Sequence, residues 1–195
     1  MNKVLWIAIA VLVCALMLPV LSKWLAPTPR LLRGTAIWLF ILYILINLCE
    51  TLLFRESSHD AIYMLAPFWS YRAALSLYEP GRGFGLFITD VRLFRQIILN
   101  ILLYVPFGYL LPFAWPKLAQ RKRPRPHGSG ARRAFPWRVV LIGMAFSLTT
   151  ECIQLVSRVG LFELDDIFDN TIGCVLGAGL YYLLIGRNKK PAEPA

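Results

Sequence analysis

Histidine is nearly absent from this sequence. His59 and His127 stand far apart, so no histidine-based metal site can be drawn from them. The four cysteines, Cys14, Cys49, Cys152 and Cys174, form no CxxC pair, and no zinc spacing appears. They fall in or beside apolar runs and read as small packing residues. Cys49 and Cys152 each neighbour a glutamate, but no redox motif surrounds either one. No Ser-His-Asp arrangement can be argued: Ser57, Ser58, His59 and Asp60 are consecutive and read as a solvated turn. No A-x-A cleavage pattern follows the first apolar run, which is also longer than a leader's apolar region of about 7–15 residues. No internal repeat is visible, which argues against a transporter acting as a monomer.

What the chain has is apolar surface. Hydrophobic residues make up 57% of its 195 positions and its mean hydropathy is +0.58. Soluble domains run at about 45–50% apolar, so the expected solvent is a bilayer. Apolar runs at 4–22, 34–54, 96–115, 139–157 and 170–186 predict five membrane helices in a single unit over 1–190. The fold class is all-α: a multi-pass transmembrane bundle of about five helices. Between the second and third runs lies "AIYMLAPFWSYRAALSLY" (61–78), rich in rings and broken by Pro67 and Arg72. Aromatic residues of mixed polarity favour the headgroup layer, so this segment is expected to lie flat in the interface or slightly re-entrant, with a sixth span as the alternative. "EPGRGFG" (79–85) reads as turn and loop.

The basic residues set an orientation. Alternate loops place fourteen of the 21 lysines and arginines on one side, eight of them within 117–138, against seven on the other. The positive-inside rule makes the richer side cytoplasmic. The N-terminus is then outside, with the 116–138 loop and the 187–195 tail inside. The "KLAQRKRPRPHGSGARR" loop is a topology signal and a tether near anionic lipid, and no nucleic-acid partner is expected.

The polar residues set a puzzle. The stretch 149–173 holds five carboxylates, an arginine, a glutamine and an asparagine between two apolar runs. With the predicted orientation, Glu50, Arg55, Arg95, Asn100, Glu151, Gln154, Arg158, Asp165, Asp166, Asp169 and Asn170 all fall near the outer face. Ser147, Glu151, Gln154 and Arg158 share one helix face, and Asp166, Asn170, Gly173 and Gly177 share another. The glycines are expected to let a neighbouring helix approach closely, Gly179 among them. Ionisable groups inside spans face the bundle interior and pair, so in one reading Arg95 and Arg158 neutralise Glu50 and Glu151 and the cluster merely locks helices together. Alternatively the cluster is a site: arginine grips phosphate and carboxylate bidentately, and Mg²⁺ bridges carboxylates to phosphates. "DDIFD" (165–169) has the DDxxD spacing that holds Mg²⁺ in prenyl-diphosphate enzymes, although acids at a helix N-terminus also serve as caps and complement its dipole.

"RQIILNILLYVPFGYLLP" (95–112) resembles the signature of VanZ-like membrane proteins. "TECIQLVSRVGLFELDDIFDNTIGCVLG" (150–177) is similar to the family's second signature: an E-x-x-Q face, an arginine, then an acidic element leading into N-T-x-G. "LAPFWSY" (65–71) resembles the P-F element of its long outer loop. The resemblance implies a multi-pass plasma-membrane protein of bacteria, tied to the cell envelope and to low-level teicoplanin resistance, and it implies no reaction. Carried onto this chain, it marks Arg95, Asn100, Glu151, Gln154, Arg158, Asp166 and Asn170 as ligand-binding, with Glu50, Arg55, Asp165 and Asp169 behind them. In that reading Arg95 and Arg158 hold an anion, and Glu151 and Asp166 position a cation or the arginines. Gln154 and Asn100 satisfy buried polar groups, Asn170 caps the last helix, and Pro106 with Gly108 loosens the third.

Three functions stand against one another. The first binds a lipid-linked cell-wall precursor or a lipoglycopeptide antibiotic, or alters access to it. The second is an Mg²⁺-dependent enzyme of a lipid phosphate, with Mg²⁺ as the one cofactor the acids suggest. The third is a structural partner in an envelope complex. The balance favours a non-enzymatic role, and the oligomeric state is not encoded in any motif.

Overall fold

The protein is described by a computed structural model that places residues 29–53, 63–119 and 135–186, with Val13 and Met17 from the first apolar run. The rest of that run, 4–22, lies outside the described residues, as do Arg55, the side chain of Glu50 and most of the basic loop. In chain order the elements are α1 (Pro29–Leu48), which ends in a π-helical turn (Cys49–Leu53), then β1 (Tyr63–Met64), α2 (Trp69–Ala74), β2 (Leu75–Glu79) and β3 (Gly83–Ile88). They continue with α3 (Val91–Ala114), α4 (Pro116–Ala119), α5 (Trp137–Ser157), β4 (Phe162–Glu163), α6 (Leu164–Tyr181) and a second π turn (Tyr182–Gly186).

Among the described residues four helices are long and apolar enough to cross a membrane: Arg30–Leu48, Val91–Ala114, Trp137–Ser157 and Leu164–Ile185. A helical membrane bundle is therefore what the chain forms. The aromatic segment does not span: α2 has six residues, about 9 Å of helix, too short to cross. Nor is 75–88 irregular loop. β2 and β3 pair antiparallel, Leu75 opposite Ile88 and Glu79 opposite Gly83. The "PGRG" turn closes the hairpin because Gly81 (φ 86) and Gly83 (φ 80) adopt left-handed backbone that other residues resist. β1 and β4 form a two-residue parallel bridge, Tyr63 to Phe162 and Met64 to Glu163, which ties the long loop to the segment before α6.

The bundle is organised around α3 and α6, which meet at their backbones. A Cβ built on Gly177 would stand 2.1 Å from the Val105 carbonyl oxygen, one on Gly173 2.2 Å from that of Ile101, and one on Gly108 2.1 Å from that of Cys174. Glycine is required on both helices, as close helix crossings in membranes demand. Gly179 differs: its nearest neighbour is Phe135 at 3.9 Å, so it serves no close approach. Pro106 and Pro112 lie inside α3, yet the helix runs unbroken from Val91 to Ala114. Gly108 thus clamps α3 against α6 rather than loosening it.

Buried rings fill the rest of the core. Phe40 and Tyr43 of α1 pack on Phe107, and Phe40 also meets Trp115 edge to face. Cys174 is fully buried, under Gly143 of α5, as a packing cysteine should be, whereas Cys152 is exposed. Arg33 donates from Nε to the Ala114 carbonyl at 3.1 Å. That bond gives a cation to one of the orphan carbonyls at the C-terminus of α3 and ties the start of α1 to the end of α3.

Candidate functional site

The opposite end of the bundle is polar. It collects the C-terminal turns of α1 and α5 and the N-terminal turns of α3 and α6. Glu151, Gln154, Glu163, Asp165, Asp166, Asp169 and Asn170 are all buried there. Burial of so many carboxylates is tolerated only with partners, and the partners come from every neighbouring element.

Asp165 shows the arrangement most clearly. It lies in the first turn of α6, where acids complement the dipole. Its side chain, however, serves a different helix. Oδ1 accepts from the Phe68 amide at 2.6 Å, and Oδ2 accepts from the Ser70 amide at 2.9 Å and the Ser70 hydroxyl at 2.6 Å. Phe68 is the N-cap position of α2, in left-handed backbone (φ 57), with no side-chain cap of its own. That conformation costs a bulky residue about 1–2 kcal/mol, and the buried carboxylate offsets it with three charge-assisted bonds. One turn on, Asp169 accepts from the Tyr71 hydroxyl. Burial, and then this carboxylate, push the Tyr71 hydroxyl well above its ordinary value, so it stays a donor. The two aspartates at i and i+4 thus hold α2 against α6.

The other face of α6 turns to α3 and α5. Asn100 Nδ2 donates to Asp166 Oδ1 at 2.6 Å. Asn170 Nδ2 donates to Ser147 Oγ at 2.9 Å. On α5, Glu151 Oε2 accepts from the Glu163 amide at 3.1 Å. Gln154 Nε2 donates to the Thr51 carbonyl at 2.8 Å, reaching the π turn that ends α1. A π turn leaves carbonyls off the regular ladder, and Gln154 satisfies one of them.

Asn100, Glu151, Gln154, Asp166 and Asn170 therefore converge, as do Asp165 and Asp169. The arginines differ. Arg95 is exposed on α3, five residues before Asn100, and pairs with no carboxylate among the described residues. Arg158 is exposed at the C-cap of α5 in left-handed backbone (φ 56). Asn170 does not cap α6, because the helix starts at Leu164, six residues before the uncharged run from which its boundary was expected. The acids belong to the helix because their dipole and hydrogen bonds favour it, even though their charge ends the apolar run.

Three contributors escaped the sequence reading: Ser70, Tyr71 and Thr51. Their partners lie 95, 98 and 103 residues away, and no local pattern encodes such pairings. Asn170 Oδ1 and Trp69 Nε1 are two of the buried side-chain atoms among the described residues that have no hydrogen-bond partner. Among the described residues no three His, Cys, Asp or Glu side chains gather in a way that could hold a metal ion. The aspartates of "DDIFD" instead turn to α2, α3 and α2 again.

Comparison with known proteins places these residues in context. A sequence model of the VanZ/LLP1 family matches residues 5–185. Protein VanZ of Enterococcus faecium is 32% identical over 90 residues, a stretch that covers 46% of this chain and 46% of that protein. This chain thus matches about half the length of that relative. No solved structure matches.

Proposed function

This chain belongs to the VanZ/LLP1 family, and from that premise we propose that its polar end binds an amphiphilic, anion-bearing ligand at the extracytoplasmic face of the membrane. The ligand class is a lipid-linked cell-wall precursor or a lipoglycopeptide of the teicoplanin type, and the consequence is altered access of such a drug to its target. The observation that carries this reading is spare capacity inside a crowded polar cluster. Asn170 Oδ1 is buried with no partner, one turn from Asp166 and bonded through its other amide atom to Ser147. A buried acceptor left unpaired costs about 1–3 kcal/mol, which a hydroxyl or amide of a ligand relieves.

In this reading Arg95 and Arg158 meet the ligand's phosphate or carboxylate from the rim, as guanidinium groups suit. Glu151, Asp166, Asn100 and Gln154 hold the wall behind it. The positive-inside arrangement of the basic loops supports the extracytoplasmic side. We favour binding over Mg²⁺-assisted phosphoryl chemistry because each aspartate of the DDxxD pattern is turned to a separate structural partner.

Susceptibility of cells carrying Asp166→Asn or Arg95→Ala tests the proposal, with the amount of protein in the membrane followed in parallel. The expected outcome is normal membrane abundance with loss of any teicoplanin protection that the unaltered chain confers. If neither deletion nor overexpression of the unaltered chain changes susceptibility, the proposal is wrong.

A further inference from the structure

The β2–β3 hairpin shows an apolar face to its surroundings. Phe84, Leu86 and Ile88 alternate outward along β3 at 91%, 70% and 50% exposure, and Leu77 and Tyr78 of β2 join them at 73% and 54%. The pairing slips by one residue between Ser76 and Tyr78, where Gly85 and Leu86 lie opposite Leu77, so strict alternation breaks there. The exposed apolar side chains are still neighbours on the hairpin, and the Tyr78 and Phe84 rings touch across the pair, 5.3 Å apart. Exposure this large and contiguous marks a contact surface rather than scattered surface residues.

The position of the hairpin says what covers it. Only Thr89 and Asp90 separate β3 from the span α3, and Asp90 caps that helix through the Arg92 and Leu93 amides. Thr89 bonds back to Ala73 and Ala74 at the end of α2, and α2 is fastened to the first turns of α6 by Asp165 and Asp169. The hairpin is therefore held at the level where two spans begin, which is the membrane surface. Val91, the first residue of α3, is 70% exposed and extends the apolar face into the span itself. Three arginines lie in or beside the hairpin along the chain (Arg72, Arg82 and Arg92) against two acids (Glu79 and Asp90), with Arg82 paired to Glu79 at 3.2 Å. That balance suits anionic headgroups, with the arginine stems reaching past apolar surface to keep their heads polar.

We infer that the β2–β3 hairpin is a membrane-surface anchor, with Leu77, Phe84, Leu86 and Ile88 seated in the headgroup–acyl boundary of the leaflet next to the polar end of the bundle and the arginines on anionic lipid. The inference is independent of which ligand the polar end binds. It gives the hairpin a mechanical role: α2, which Asp165 and Asp169 grip, is fixed on one side by α6 and on the other by lipid.

Site-directed spin labelling in vesicles tests it. The full chain, with its native cysteines replaced by serine or alanine, carries one label at Phe84→Cys, Leu86→Cys or Glu79→Cys, with Leu141→Cys on a membrane span for reference. The proteins are reconstituted in phosphatidylcholine alone or with phosphatidylglycerol. The expected result is a severalfold higher ratio of oxygen to water-soluble nickel-chelate collisions at positions 84 and 86 than at 79, approaching that at 141, with deeper burial in the anionic vesicles. Labels at 84 and 86 as open to the chelate as position 79 would overturn the anchor. Labels shielded from both reagents would overturn it too, by showing a second copy of the chain on this face.

Discussion

The two places where α6 meets its neighbours are built on opposite principles. Along its middle, α6 meets α3 through missing atoms: Gly173 and Gly177 face the carbonyls of Ile101 and Val105 with no room for a methyl group. At its N-terminus it meets α2, α3 and α5 through directed bonds from Asp165, Asp166, Asp169 and Asn170. The seam works by dispersion between backbones, which falls off steeply when a gap opens. The polar end works by hydrogen bonds that each specify one partner and one orientation. A membrane helix gains little from burying apolar side chains against others, since lipid is equally apolar. Close backbone contact and polar pairing are the remaining means, and this helix uses both, one above the other.

Gly177→Ala should break the seam and give the largest effect. Its Cβ meets backbone rather than a yielding side chain, so the helices must part, at a cost of about 3 kcal/mol or more. Loss of a monodisperse, folded species on heating in detergent would record it, and wild-type stability in this variant would mean the helices are not in backbone contact. Asp165→Asn comes next. It turns one of the two oxygens that together accept from two amides and a hydroxyl into a donor and removes the charge, a loss worth about 2–3 kcal/mol, but only at the polar end. Hydrogen exchange should quicken across the Trp69–Ala74 helix while α3 and α6 keep their protection; loosening of the whole bundle would show instead that the two regions are one cooperative unit.

Tyr71→Phe sharpens the comparison further. It deletes one bond to a carboxylate, about 1.5 kcal/mol. The hydroxyl's raised pKa gives a pH signature. Its contribution is complete below the ordinary tyrosine value near 10 and is lost as pH rises from there through the folded value, because the unfolded chain then releases the proton first. The stability difference between wild type and Tyr71→Phe should therefore be flat through neutral pH and shrink in alkali. Gly179→Ala is the control with the smallest effect. With only Phe135 at 3.9 Å, it should be neutral or stabilising by up to about 1 kcal/mol through helix propensity. A loss comparable to that of Gly177→Ala would sink the distinction between the two glycines.

The glycine stripe was legible because period and composition are local. Asp166, Asn170, Gly173 and Gly177 share a face by arithmetic, and glycine on such a face in a span has few other uses. Gly179, two residues on, looked equivalent and is not, because it points away from α3. Helix boundaries were misjudged where charge and helix disagree: the run at 170–186 begins where the acids stop, but α6 begins where its capping begins, at Leu164. The hairpin was hidden in a segment whose rings drew attention to the interface. Its alternation in "GFGLFI" is a strand signal in retrospect.

Composition, run length and the placement of charge by themselves determined that this chain lives in a membrane as a helical bundle and that its polar side chains belong to one end of it. Those are one-dimensional properties: apolar length against bilayer thickness, and charge against the cost of burying it. Which polar atom meets which was decided only in three dimensions. Asp165 caps a helix 95 residues earlier in the chain, Gln154 answers a carbonyl freed by a π turn, and Arg95 stays at the rim. Hydrogen bonds depend on fractions of an ångström and on angle, and only the packed fold supplies those.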